Sequence, residues 1–148
     1  MSDWKRPESV LVLVHTAVGE VLLLERLEPP GFWQSVTGSL EWGESAAAAA
    51  LRELREETGL APGAALCDCR LQSRFPILPP WRERYAPEVS ENREYVFAVC
   101  YATPPPIRLN PAEHRAWCWL PAAEAAVRAG SVTNRDAIRR LLRPAEPA

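Results

Sequence analysis

The sequence predicts one α/β layer domain built on a mixed sheet, and three observations predict it. Short β-branched apolar runs recur along the chain, helical segments interrupt them at irregular intervals, and no internal repeat or long linker divides the 148 residues. Irregular alternation of strands and helices is the pattern of layered α/β folds. The length suits a single domain spanning 1–148 with a core of its own.

The elements follow in order. Ser9–His15 is a β-branched apolar run and reads as a buried strand. Ala17–Gly19 interrupts it and Val21–Leu24 resumes, which is a hairpin pattern. Glu28–Gly31 is a loop, and Trp33–Val36 reads as a short strand leading to Gly38. Ser45–Thr58 is the clearest helix: Ser45 is a good N-cap and Gly59 supplies a left-handed C-terminal cap. Its five alanines, 46–50, let the helix pack closely on a sheet. Cys67–Phe75, Glu94–Tyr101 and Ala116–Leu120 read as strands, and Pro121–Ala129 and Asn134–Leu142 as short helices. Pro76–Pro87, with four prolines and two arginines, reads as a surface loop, and the tail from Pro144 as frayed.

Composition bounds the function. A hydrophobic fraction of 47% and a charged fraction of 24% are ordinary for a soluble globular protein. The net charge of −2 offers no basic field, which disfavours nucleic acid as a partner, so any phosphate must be gripped locally. The run Val10–Val14 is too short for a signal-peptide core, and nothing approaches membrane-spanning length. A cytoplasmic protein with no membrane partner, monomeric or a small homo-oligomer, is expected. Cys67, Cys69, Cys100 and Cys118 lack zinc-ligand spacing and read as free, buried or half-buried thiols.

Chemistry concentrates in Gly38–Leu60, a loop with two glycines running directly into the helix. At about 100° per residue, Glu56 lies about 60° to one side of Glu53 and Glu57 about 40° to the other, so the three share a stripe. Arg52 stands four residues before Glu56 and is placed to brace it. Like charges at these spacings repel, and the last turn of a helix disfavours anions. A hard divalent cation offsets that repulsion, and oxygen ligands suit Mg²⁺, with Mn²⁺ as a substitute, over zinc. A bare E-x-x-E-E stretch is commonly a solvated helix face; here the surroundings change the reading. Gly38, Glu44, Arg52, Glu53, Leu54, Glu56, Glu57, Gly59 and Leu60 all fit the pattern G-x5-E-x7-R-E-U-x-E-E-x-G-U, with U apolar.

That pattern is the Nudix box, and the chain resembles the Nudix hydrolases. The resemblance implies an α/β/α sandwich around a mixed sheet and hydrolysis of a phosphoanhydride bond. It implies Glu53, Glu56 and Glu57 as metal ligands, the Gly38 carbonyl as a further one, and Glu44, Arg52 and Gly59 as supports of the loop and helix. The flanks resemble the branch of the family that acts on dihydroneopterin triphosphate in bacterial folate biosynthesis. The segments are K-R-P-E-S-V-L-V at Lys5–Val12, F-W-Q-S-V-T-G-S at Phe32–Ser39, R-Y-A-P at Arg84–Pro87, E-H-x-A-x-x-W at Glu113–Trp119 and S-V-T-N-R-D-A-I at Ser131–Ile138.

From that likeness Lys5 and Arg26 would hold phosphates, Thr37 would touch substrate, Phe75 would face the pterin, and Ser131 would contact substrate near the last helix. Glu113 would be a metal ligand or the base. The branch's second arginine beside Arg26 is Leu27 here, which weakens the phosphate grip, and Pro76–Leu78 departs from the branch in residue type. Phe75, Trp33 and Trp117 fit core roles as well, and His15 and His114 read as non-catalytic. The expected reaction is attack of water on a triphosphate, with Glu56, Glu57 or Glu113 as the base and pyrophosphate released. A purine triphosphatase acting on dATP or an oxidised dNTP is the alternative, and a silent nucleotide-binding module the remote one.

Overall fold

The computed structural model describes residues 4–142, so the frayed tail expected from Pro144 lies outside the described residues. The apolar run at the N-terminus forms β1 (Glu8–Thr16), and its neighbours are β2 (Glu20–Arg26), β3 (Trp33–Gln34) and β4 (Val36–Ser39). Helix α1 (Ala46–Thr58) follows, then β5 (Cys67–Pro76), β6 (Glu91–Tyr101), β7 (His114–Pro121), α2 (Ala122–Arg128) and α3 (Val132–Leu141). The expected loop over Pro76–Pro87 is interrupted by one turn of 3₁₀ helix at Trp81–Arg84.

The seven strands form one mixed sheet ordered β3-β2-β1-β6-β5, with β4 paired to β1 and β7 to β2. β1 runs parallel to β6 over its whole length, and the other pairings are antiparallel. β1 is apolar on both faces because both are covered. Val10, Val12 and Val14 pack with Leu22, Leu24, Phe97 and Val99 beneath Ala49, Ala50 and Leu54 of α1. Leu11 and Leu13 face the other way, against Ala125 and Ala126 of α2 and Ala137 and Ile138 of α3. The result is the expected α/β/α sandwich. Ala49 and Ala50 are fully buried, so the alanine run does bring α1 close to the sheet.

Trp33–Val36 is not one strand. It breaks at Ser35, where the chain changes partner from β2 to β1. The Ser35 amide donates to Asn134 Oδ1 at 2.8 Å instead of to a neighbouring strand, and the Asn134 amide nitrogen donates back to Ser35 Oγ at 2.9 Å. β1 is held by β4 over Ser9–Val12 and by β2 only near His15. The sheet therefore splays between β2 and β4, and that opening positions the site described below.

Two other expectations are corrected. Cys67 and Cys100 are exposed, because they lie toward the solvent side of an edge pair and at a strand end; Cys69 and Cys118 are half-buried, and all four are free. Trp117, read as core, is exposed on β7. No helix among the described residues is long and apolar enough to cross a membrane.

The Ser35–Asn134 pair ties α3 to the splayed strands, so its loss should be felt globally. Asn134→Ala leaves the buried Ser35 N–H without an acceptor and should cost about 1–3 kcal/mol of unfolding free energy. Urea denaturation measures it; an unchanged midpoint would show that the pair is dispensable.

Candidate active site

The loop before α1 is organised by one guanidinium. Arg52 donates from Nε and Nη2 to the two oxygens of Glu44 at 2.9 and 2.8 Å, from Nη2 to the Ser39 carbonyl at 3.0 Å, and from Nη1 to Glu53 Oε1 at 2.7 Å. Such a bidentate fork has a defined geometry that a lysine cannot copy. The Arg52 hydrogen bonds, helped by the Glu41 amide, hold the Glu44 carboxyl down at about 2. Glu56 lies 3.5 Å from Arg52. The brace expected for Glu56 thus serves Glu44 and Glu53 first. At the helix ends, Ser45 Oγ accepts from the Ala48 amide, and Gly59 takes φ 77° with its N–H on the Arg55 carbonyl.

The three carboxylates of the stripe occupy three environments. Glu56 is 53% exposed, Glu53 13% and Glu57 1%. α1 packs with its Glu57 edge against the sheet, so the stripe runs from solvent into the interior. No group of three or more potential ligands stands preassembled as a cage among the described residues. Repulsion and the pull of Arg52 on Glu53 and Glu56 account for the spread.

Glu57 is the anomaly. Neither carboxylate oxygen has a well-formed hydrogen bond, although both are buried. Burial pushes its carboxyl well above the usual range, and the neighbouring Glu53 and Glu113 push the same way, against a small opposing effect of the Thr37 backbone. Glu53 is raised as well, chiefly by burial. Two carboxyl groups this close share a proton when nothing else neutralises them. Gly38 shows how tightly the pocket is built: a Cβ there would fall 2.1 Å from the Glu53 carboxyl carbon. The carboxylate oxygens of Glu53 and Glu57 at this point suit a hard cation.

A cleft of about 490 Å³ opens over Glu53 and Glu57 through the splay between β2 and β4. Lys5, Arg26, Thr37, Gly38 and Glu113 line it, so the structure brings these sequence-derived candidates together. The β-bulge between Glu25 and Arg26 pairs Arg26 with His114, and both line the cleft. Lys5 is fixed by its amide on the Arg84 carbonyl and lies 5.8 Å over the Tyr85 ring. Burial, then Arg84, lower its pKa. Thr37 turns its hydroxyl to the Val10 carbonyl at 2.8 Å. A second cleft, lined by Trp4, Trp42 and Arg84, meets the first at Lys5, Ser39 and Glu53.

Two candidates lie elsewhere. Phe75 is on edge strand β5, opposite Asn92, and Ser131 caps α3 by accepting from the Asn134 amide at 3.2 Å; neither lines the cleft. Conversely, His114, read as non-catalytic, and Gln34, not among the candidates, both line the cleft. His114 Nε2 stands 3.7 Å from Glu57 Oε1 and 3.3 Å from the Gln34 amide nitrogen, with all three residues buried. Burial, then Arg26, depress the His114 pKa, so the ring is neutral and its approach to Glu57 is not an ion pair. A single histidine in a strand carries no periodic signal; only the fold puts it there.

The raised Glu57 pKa has a definite sign. In the unfolded chain this carboxyl titrates at about 4.3. The folded state, with the higher pKa, binds more protons, so stability falls as pH rises from the unfolded to the folded value. Glu57→Gln should therefore raise the Tm of the metal-free protein at neutral pH, and excess Mg²⁺ should raise the Tm of wild type but not of the variant. Thermal melts in chelator and in magnesium check both; a lower Tm for the variant in chelator would contradict the reading. Gly38→Ala should fold but lose at least ~10-fold in magnesium affinity by calorimetry, because the new Cβ occupies the space of the Glu53 carboxyl.

Comparison with known proteins agrees with this architecture. The chain is 42% identical over 143 residues to dihydroneopterin triphosphate diphosphatase of Escherichia coli K12, covering 94% of each chain. It is 37% identical over 146 residues to the Haemophilus influenzae enzyme of the same name, covering 96% of this chain and 91% of that one. The solved structure of the E. coli dihydroneopterin triphosphate pyrophosphohydrolase superposes with a TM-score of 0.85 at 40% identity, over 95% of this chain and 98% of that one. The NUDIX domain family matches residues 5–141. With its box on the loop and helix that wall the cleft, the chain belongs to the NUDIX domain family.

Proposed function

We propose that this chain is a magnesium-dependent pyrophosphohydrolase that converts dihydroneopterin triphosphate and water to dihydroneopterin monophosphate and pyrophosphate. The observation that carries the reading is Glu57: a buried carboxyl without a well-formed hydrogen bond, beside Glu53, in a cleft rimmed by Lys5 and Arg26. Burying such a group costs several kcal/mol unless a charge of opposite sign arrives. The full-length likeness to enzymes named for this substrate supports the choice of triphosphate.

Glu53, Glu57 and the Gly38 carbonyl would hold the cation, with Glu56 and Glu113 swinging in from the exposed rim. Magnesium, when bound, screens phosphate charge and makes water beside it more acidic. Lys5 and Arg26 grip the phosphate chain and fix its register. Arg52 is committed to Glu44 and Glu53 and acts by holding the loop. Water attacks phosphorus, the bridging P–O bond between the α and β phosphates breaks, and pyrophosphate carries the bond's electron pair away. The proton of the attacking water passes to a carboxylate, for which Glu56, Glu57 and Glu113 are the candidates. Thr37, tied to Val10, keeps the β4 backbone rigid beside Glu57.

With excess Mg²⁺, a panel of dihydroneopterin triphosphate, dATP and 8-oxo-dGTP should give the highest kcat/KM on the pterin, with pyrophosphate and not phosphate as product. Glu57→Gln should lower kcat by ~10²–10⁴-fold while remaining folded. A faster reaction on dATP, or a fully active variant, would overturn the proposal.

A further inference from the structure

Outside the cleft, one buried acid stands without explanation. Glu94 of β6 is 5% exposed, and its Oε1 has no hydrogen-bond partner. Its pairing places it in a polar row across the sheet. Ser39 of β4 is opposite Ser9 of β1, Ser9 is beside Glu94, and Glu94 is opposite Ser73 of β5. Paired residues project to one face, so the row lies on the α3 side. Asn92, two residues back, shares that face and donates to Ser9 Oγ at 2.8 Å. The neighbouring row has Thr37 at its β4 end and is otherwise apolar, with Leu11, Val96 and Leu71 in the core under α2 and α3. The polar row therefore borders the hydrophobic core on that sheet face.

The row starts in the active site. Ser39 lines both clefts beside Glu53 and Lys5. Strands are spaced by about 4.8 Å, so Glu94, two strands over, is about 10 Å from that wall. That is the separation expected between the phosphates of a nucleotide-like triphosphate and the far edge of its fused ring. The other boundary is the first turn of α3, where the Thr133 hydroxyl reaches Glu94.

We propose that Glu94 is the specificity-determining residue that reads the 2-amino-4-oxo edge of the substrate ring, seated between the sheet and α3. This rests on the pterin reading of the function above and names its recognition element. The 2-amino-4-oxo edge presents two adjacent N–H donors, one on the ring nitrogen and one on the exocyclic amine. An ionised carboxylate accepts both at once. Adenine offers a donor next to an acceptor, which a carboxylate cannot match. Burial raises the Glu94 carboxyl, and a two-donor edge is the partner that favours its ionised form. Phe75, opposite Asn92 on the same face, flanks the same position.

The experiment measures binding and turnover separately. Binding of free pterin is followed by ring fluorescence, and kcat/KM is measured for dihydroneopterin triphosphate and dATP, on wild type and Glu94→Gln. The variant should bind pterin ~10–100-fold more weakly, and its pterin-to-dATP ratio of kcat/KM should fall by a similar factor. A parallel loss on both substrates means that Glu94 only supports α3, and no loss means that it is idle; either overturns the proposal. Should the variant fail to fold, wild type supplies the test. Guanosine should compete for the pterin site ~10-fold better than inosine, which lacks only the 2-amino group, and equal competition overturns the proposal. Pterin binding that depends on Glu94 without any turnover would leave this inference standing and remove the proposed reaction.

Discussion

The site depends on one unfavourable placement: the Glu57 carboxyl, pushed into the interior by the packing of α1 on the sheet. A helix turned so that Leu54 fills the core must carry the residue three positions on toward the same side. Leu54, Glu57 and Thr58 are all buried for that reason. An apolar residue at 57 would stabilise the helix, and a surface glutamate would cost nothing. The sequence has neither. The strain is contained by neighbours: Arg52 holds Glu53 back, Gly38 leaves space for its carboxyl, and the Glu44–Arg52 fork fixes the loop that carries Gly38.

The second constraint is the splay of the sheet. β1 is paired by two different strands along its length, and the break at Ser35 lets β3 and β4 part company. Glu53 and Glu57 lie on the α1 side of the sheet, and Asn134 and the polar row through Glu94 on the α3 side. Asn134, bonded to Ser35 from 99 positions away, holds the gap at its width.

Much of this was legible in the sequence where the signal is local. Ser45 and Gly59 bound α1 to the residue, because capping chemistry is short-range. The apolar run of β1 and the loop before α1 were equally plain. The box residues Glu44, Arg52 and Glu53 fall into contact because all three lie on one short loop-and-helix segment. Long-range features were not legible. His114 reaches Glu57, and Gln34 reaches His114, through a β-bulge and a strand pairing that leave no periodic trace. Glu94 sits in an ordinary alternating strand, where a buried acid looks like a solvent-facing one. Equal spacing on the helix also hid the inequality of Glu53, Glu56 and Glu57, since angle on a wheel does not report which edge meets the sheet. Phe75 and Ser131, taken from resemblance, lie outside the cleft but on the face that carries Glu94.

The central claim is that Glu57 is held for a cation and gives up its proton when one binds. Magnesium titration by calorimetry, repeated in buffers of different ionisation enthalpy at mildly acidic pH, counts protons released per ion. The account predicts a net release in wild type that disappears in Glu57→Gln. Proton-neutral binding of magnesium by the wild-type protein at every pH would contradict it.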